Sequence, residues 1–161
     1  MLLKVKKLII GHHQALTPAI DFTLEAGQSL SLGGPNGVGK STLLKVLAGL
    51  KPPISGSYLW QDKIRLSYLA QELELDPLFP LNVQDFLKMG QLFKPSLEAQ
   101  KWQGWQELIL NILNLQNIQR ASFHELSGGQ KQVCGLARAL RSQPQVLLLD
   151  EPFNHLDSKK T

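Results

Sequence analysis

Polar and apolar positions alternate along the first third of the chain and then change period. Leu3, Val5 and the run Leu8 to Ile10 predict a strand over residues 3–10, Ala19 to Leu24 predict a second, and Ser29 to Leu32, after the turn-forming EAGQ, a third. The spacing then becomes helical: Leu43, Leu44, Val46, Leu47 and Leu50 lie on one face of STLLKVLAGL, and KPPISG stops it. A strand pair is expected at Ser57 to Trp60 and Ile64 to Leu69. From Leu81 to Ser142 the pattern is mostly helical, with N-caps predicted at Asn82 and Ser96. Trp102 and Trp105, three apart on that stretch, are expected to pack into a core. QPQVLLLDE then returns to a strand, and its four consecutive apolar residues predict burial on both faces of a parallel sheet. A helical block between strands gives an α/β chain.

Composition narrows this picture little. The 161 residues, 43% of them hydrophobic, suffice for one sizeable core and one domain. Seventeen Lys and Arg against thirteen Asp and Glu leave a net charge of +4, scattered rather than massed. Lys4 and Lys6 alternate with Leu3 and Val5, so a solvated strand face is expected and no nucleic-acid partner. The single cysteine, Cys134, allows no internal disulfide, and no zinc-type Cys/His cluster is present. No apolar run approaches the eighteen or more residues of a membrane span, and the N-terminus lacks a signal-peptide cleavage site. A soluble, unexported chain is the expectation.

Candidate chemistry changes the picture more. Gly34-Pro35-Asn36-Gly37-Val38-Gly39-Lys40-Ser41 fills every position of a GxxxxGK[ST] phosphate loop, between a predicted strand and a predicted helix. Glycines let successive backbone N–H groups turn inward, and the helix N-terminus adds partial positive charge beneath a phosphate. Lys40 would neutralise the β and γ phosphates, the Ser41 hydroxyl would ligate Mg²⁺, and Thr42 continues the binding turn. The loop alone does not distinguish a small-molecule kinase, a GTPase and a motor ATPase. Further along, Leu126-Ser127-Gly128-Gly129-Gln130 opens an amphipathic helix, and Ser127 with Gln130 has the spacing of a capping box. Asp150 and Glu151 end the buried strand.

This order of phosphate loop, LSGGQ and VLLLDE resembles the nucleotide-binding domain of the ABC transporter ATPases. The resemblance implies a P-loop NTPase fold: a mostly parallel sheet, an N-terminal antiparallel β subdomain, and a helical subdomain inserted over about residues 73–142, with the core at 1–72 and 143–161. It implies ATP and Mg²⁺ as ligands, and a head-to-tail homodimer or heterodimer in which each ATP lies between one phosphate loop and the partner's LSGGQ. Ser127, Gly128, Gly129 and Gln130 are then nucleotide-binding, with the helix start aimed at the γ-phosphate. Asp150 matches the Mg²⁺-organising carboxylate and Glu151 the general base. Gln71 falls where the family senses Mg²⁺ and the attacking water, His12 at the approximate place of the adenine-stacking aromatic, and Phe153 to Asp157 on the loop that crosses the dimer interface.

Within the family, DKIRLSYLAQELELDPLFPLNVQDFLKMG resembles ATPase subunits of zinc and manganese importers, whereas the NHLD ending also resembles soluble, non-transport members. Family members continue with another buried strand ending in a γ-phosphate-contacting histidine. His155 precedes Asp157 and does not match it, so a C-terminally incomplete domain is expected. Two function classes follow. One is an ATPase on the cytoplasmic face of the membrane, driving transport through integral membrane permease subunits. The other is a module that binds Mg-ATP with little hydrolysis.

Overall fold

In the computed structural model, which describes residues 1–71, 75–76, 78–91 and 99–152, the chain divides into two units, Met1–Ile64 and Arg65–Thr161. The first is built on β1 (Leu3–Ile9), which pairs antiparallel with β2 (Ile20–Leu24) on one side and β3 (Ser55–Trp60) on the other. Leu3, Val5, Leu8 and Ile10 are all buried. The step from 5 to 8 breaks the two-residue period, and the ladder to β2 shifts register between Val5 and Leu8, that to β3 between Lys6 and Ile9. A bulge therefore supplies the extra residue and returns the apolar side chains to one face.

Lys7 sits in that bulge with φ +45°, its N–H donating to Asp21 Oδ1 at 3.0 Å. Opposite it, Gly56 has φ +79°, and a Cβ there would lie 2.1 Å from the Lys7 carbonyl oxygen. Only glycine permits so close an approach of the two backbones. Lys6 and Lys7 are exposed and Lys4 is half-buried, as a largely solvated strand face requires. The first unit is completed by α1 (Lys40–Leu47), whose Thr42, Leu43, Val46 and Leu47 are buried. Trp60 Nε1 donates to the Leu47 carbonyl at 2.8 Å and ties β3 to the end of α1.

In the second unit, β4 (Leu66–Leu69) and β5 (Val146–Leu149) form a two-stranded parallel ladder in which Tyr68 is paired with Leu148. Between them run α2 (Val83–Lys88), α3 (Ala99–Ile112) and α4 (Gly128–Arg141). The helices close around Leu81, Val83, Phe86, Ile109, Leu115, Phe123, Cys134 and Ala137. Phe86 stacks on Phe123 at 4.2 Å between ring centres, and the Arg138 guanidinium lies 4.5 Å over Phe86. Asn82 caps α2 as expected, accepting from the Asp85 N–H at 2.8 Å. Trp105 packs against this core and donates to the Leu140 carbonyl at 3.1 Å. Burial pushes the Cys134 thiol up to about 11, which leaves it an inert packing residue.

Two expectations are corrected. Ser29 to Leu32 forms no ladder among the described residues, and Leu30 is 52% exposed. Its alternation is genuine, but β1 already has a neighbour on each edge, and a strand needs a partner to become one. Nor do the strands around 57–60 and 64–69 pair with each other. β3 joins β1 and β4 joins β5, because the turn between them separates two sheets. The cap at Ser96, the side chain of Trp102 and the segment Phe153 to Asp157, with His155, lie outside the described residues.

Candidate functional site

The phosphate loop carries its conformation in its glycines. Gly34, Gly37 and Gly39 have φ of +141°, +82° and +105°, a region that disfavours any residue with a Cβ. Gly39 is also the residue before α1, and a Cβ there would press on Ile10 Cδ1 at 3.2 Å. No side chain caps α1, and no acidic residue occupies its first turn. The Leu43 N–H bonds to the Gly39 carbonyl, so the N–H groups of Lys40, Ser41 and Thr42 precede the helical ladder. An uncapped helix start after an exposed, glycine-shaped loop is a cradle for an anion.

Lys40 closes that loop on itself. Its Nζ donates to the Gly34 and Pro35 carbonyls at 2.8 and 2.9 Å. An ammonium has three donors, and exchanging carbonyls for phosphate oxygens conserves its hydrogen bonds while pairing its charge. Pro35, Asn36 and Val38 are exposed along the same loop. His12 is exposed too, and its Nδ1 accepts from Lys51 Nζ at 2.7 Å. Lysine only donates, so the neutral ring carries its proton on Nε2.

In the second unit, β5 delivers Asp150 and Glu151. The Asp150 N–H donates to the Leu69 carbonyl at 3.0 Å, extending the parallel ladder by one bond. Asp150 is 2% exposed, and its carboxylate accepts from the Tyr68 hydroxyl at 2.9 Å. The register explains the pair: Tyr68 stands opposite Leu148, and Asp150 two residues on shares the same face, within reach of a long aromatic side chain. Burial, then the hydrogen bond and charge of Asp150, hold the Tyr68 hydroxyl above its usual range, so it stays a donor.

Glu151 follows with φ +48°, turning the chain out of the strand. Gln71, just past β4, donates through Nε2 to Glu151 Oε2 at 2.6 Å. Gln71 and Glu151 are thus brought together as the sequence order alone does not require. Ser127 and Gln130 form the complete capping box of α4: Ser127 Oγ accepts from the Gln130 N–H, and Gln130 Oε1 accepts from the Ser127 N–H at 2.9 Å. Since Ser127 Oγ acts as acceptor, its hydroxyl proton can still donate to a ligand. Gly128 and Gly129 begin the helix without side chains.

Tyr68 and Gln132 are functional candidates that sequence reasoning missed. Gln132 Nε2 donates to the Glu151 carbonyl at 3.1 Å. Both contacts depend on a strand register and a helix docking that no local pattern displays. Among the described residues, no group of three or more His, Cys, Asp or Glu could hold a metal. Hard oxygen donors such as the Asp150 carboxylate and the Ser41 hydroxyl nonetheless suit Mg²⁺, which takes one or two protein oxygens beside phosphate.

The ABC transporter family matches residues 18–154 of the chain. An uncharacterized ABC transporter ATP-binding protein of Haemophilus influenzae is 40% identical over 98% of this chain and 65% of its own length. The zinc import ATP-binding protein ZnuC of Vibrio cholerae is 41% identical over 86% of this chain and 50% of its own. The chain therefore spans about half to two thirds of the length of the curated relatives it matches. Among solved structures, a metal-chelate type ABC transporter in an inward-facing conformation matches with TM-score 0.76 at 33% identity, over 97% of this chain and 62% of that one. An ABC transporter ATP-binding protein from Pyrococcus furiosus matches with TM-score 0.82 at 24% identity, over 98% and 79%, a likeness of fold alone.

Proposed function

The chain belongs to the ABC transporter family, with the P-loop NTPase fold of its ATPase domains, and on that premise we propose that it is the ATP-binding subunit of a metal-ion importer. In this reading it binds and hydrolyses ATP in a head-to-tail dimer, at the cytoplasmic face of the membrane, and drives integral membrane permease subunits. The observation that carries the reading is the glycine loop Gly34 to Gly39, folded under Lys40 and opening into an uncapped α1. Metal import is favoured by the relatives named for zinc import. No helix among the described residues is long and apolar enough to cross a membrane.

The residues divide the work by their chemistry. Loop N–H groups and the start of α1 hold the phosphates of ATP, and Lys40 pairs with the terminal ones. His12 offers an imidazole face to the adenine. Ser41 and Asp150, with Gln71 beside them, would hold Mg²⁺, which would supply positive charge against the developing charge on the phosphates. Glu151 orients the attacking water and accepts its proton, its carboxylate held by the Gln71 amide. Ser127 donates to the γ-phosphate of the nucleotide on the partner domain, backed by the N-terminus of α4.

Tyr68 holds the Asp150 carboxylate in its orientation. Tyr68→Phe removes one hydrogen bond to a charged group, worth about 1.5–3 kcal/mol. The Mg²⁺ concentration for half-maximal ATP binding should rise roughly tenfold or more, the scale of one such bond. A Mg²⁺ titration of nucleotide affinity checks this, and an unchanged midpoint counts against it.

The functional reading itself is tested by isolating the intact protein with the membrane protein that accompanies it and reconstituting both in vesicles. ATP-dependent zinc uptake is expected. ATP hydrolysis without zinc uptake would contradict the metal assignment alone, and absence of both hydrolysis and a membrane partner would contradict the transporter reading.

A further inference from the structure

Gln132 sits in α4, five residues after the Ser127 cap, and is 7% exposed. Nε2 donates to the main-chain carbonyl of Glu151 at 3.1 Å, while Oε1 is buried with no hydrogen-bond partner. Packing alone does not explain this residue. An apolar side chain of the same length would fill the space and remove the orphan oxygen, which costs stability where it stands. The amide contributes a donor aimed at one particular carbonyl.

That carbonyl belongs to a residue held in an uncommon conformation. With φ +48°, Glu151 occupies the left-handed region at a cost its surroundings must offset. Two amides hold it from two elements: Gln71, after β4, on the carboxylate, and Gln132, from α4, on the backbone. We propose that Gln132 is a positioning residue for hydrolysis, fixing the Glu151 backbone so that its carboxylate faces the attacking water. It thereby ties the base to the helix that begins at Ser127, Gly128 and Gly129. A shift of α4 at its nucleotide-contacting end moves the donor that holds Glu151. The inference rests on the reading of Glu151 as general base.

Gln132→Met keeps the length and loses both the donor and the orphan acceptor. In the intact protein, ATP affinity and KM should stay within about twofold and the melting temperature should hold or rise, while kcat falls roughly tenfold to hundredfold, the scale expected for a misplaced catalytic group. Placed on Glu151→Gln, the same change should add less than about twofold, because its effect runs through Glu151. Gln132→Leu serves the same comparison if the Met variant does not fold. Wild-type kcat in the Gln132 variant beside a large loss in Glu151→Gln overturns the positioning role alone. A parallel fall of kcat and melting temperature, or a full multiplicative loss in the double variant, overturns it as well. Wild-type hydrolysis by Glu151→Gln itself removes the base reading on which it depends.

Discussion

Lys40→Ala should weaken ATP binding by about two orders of magnitude or more and leave the fold intact. The ammonium has a different set of partners in each of two states. Without nucleotide it draws the Gly34 and Pro35 carbonyls together, at 2.8 and 2.9 Å. With nucleotide the same donors are expected to turn to phosphate oxygens, so truncation should remove a structural tie and a counter-charge at once. The hydrogen bonds are exchanged rather than gained, so what truncation costs is the charge pairing, about 4 kcal/mol for unit charges about 4 Å apart near a protein surface. That corresponds to a loss of more than about a hundredfold in affinity. Lys40 is only half-buried, so the melting temperature should change little. Calorimetric titration with ATP reads the affinity directly.

Glu151→Gln should have the second large effect, on turnover rather than binding. The substitution keeps the side-chain shape and still offers Gln71 Nε2 an acceptor oxygen, so the arrangement at the end of β5 should persist. What disappears is a group able to take a proton from water. General-base catalysis commonly contributes roughly 10² to 10⁴ in rate, so kcat should fall by at least about a hundredfold while ATP binding is retained. ATP-bound dimers should then accumulate, visible as a shift in size on adding Mg-ATP. A variant that hydrolyses normally, or that loses ATP binding as well, would refute the role given to Glu151.

Much of this site was legible in the sequence because its backbone is dictated by residue type. Gly34, Gly37 and Gly39 take the positive φ that the loop requires, and the Ser127 and Gln130 spacing produces the capping box it predicts. β1 was legible by alternation, although the step from Val5 to Leu8 carries a bulge that a simple strand reading passes over. Ser29 to Leu32 failed for a related reason: alternation reports which face is apolar, not whether a neighbouring strand is there to pair with.

Contacts between distant residues were not legible at all. Tyr68 meets Asp150 across 82 positions of sequence, and only the parallel register of β4 and β5 brings them to one face. Gln132 and Glu151 are 19 apart, on a helix and just beyond a strand. Neither pair has a local signature, and both bear on how firmly the two acids are held.

The loop ending at Lys40 is expected to bind ATP and Glu151 to turn it over. Mg-ATP titrated into the unsubstituted protein, Lys40→Ala and Glu151→Gln, side by side and with phosphate release followed in each, separates the two roles, and release is predicted in the unsubstituted protein alone. Saturable binding is predicted in the first and third and its loss in the second. Equal ATP affinity in all three would contradict the account.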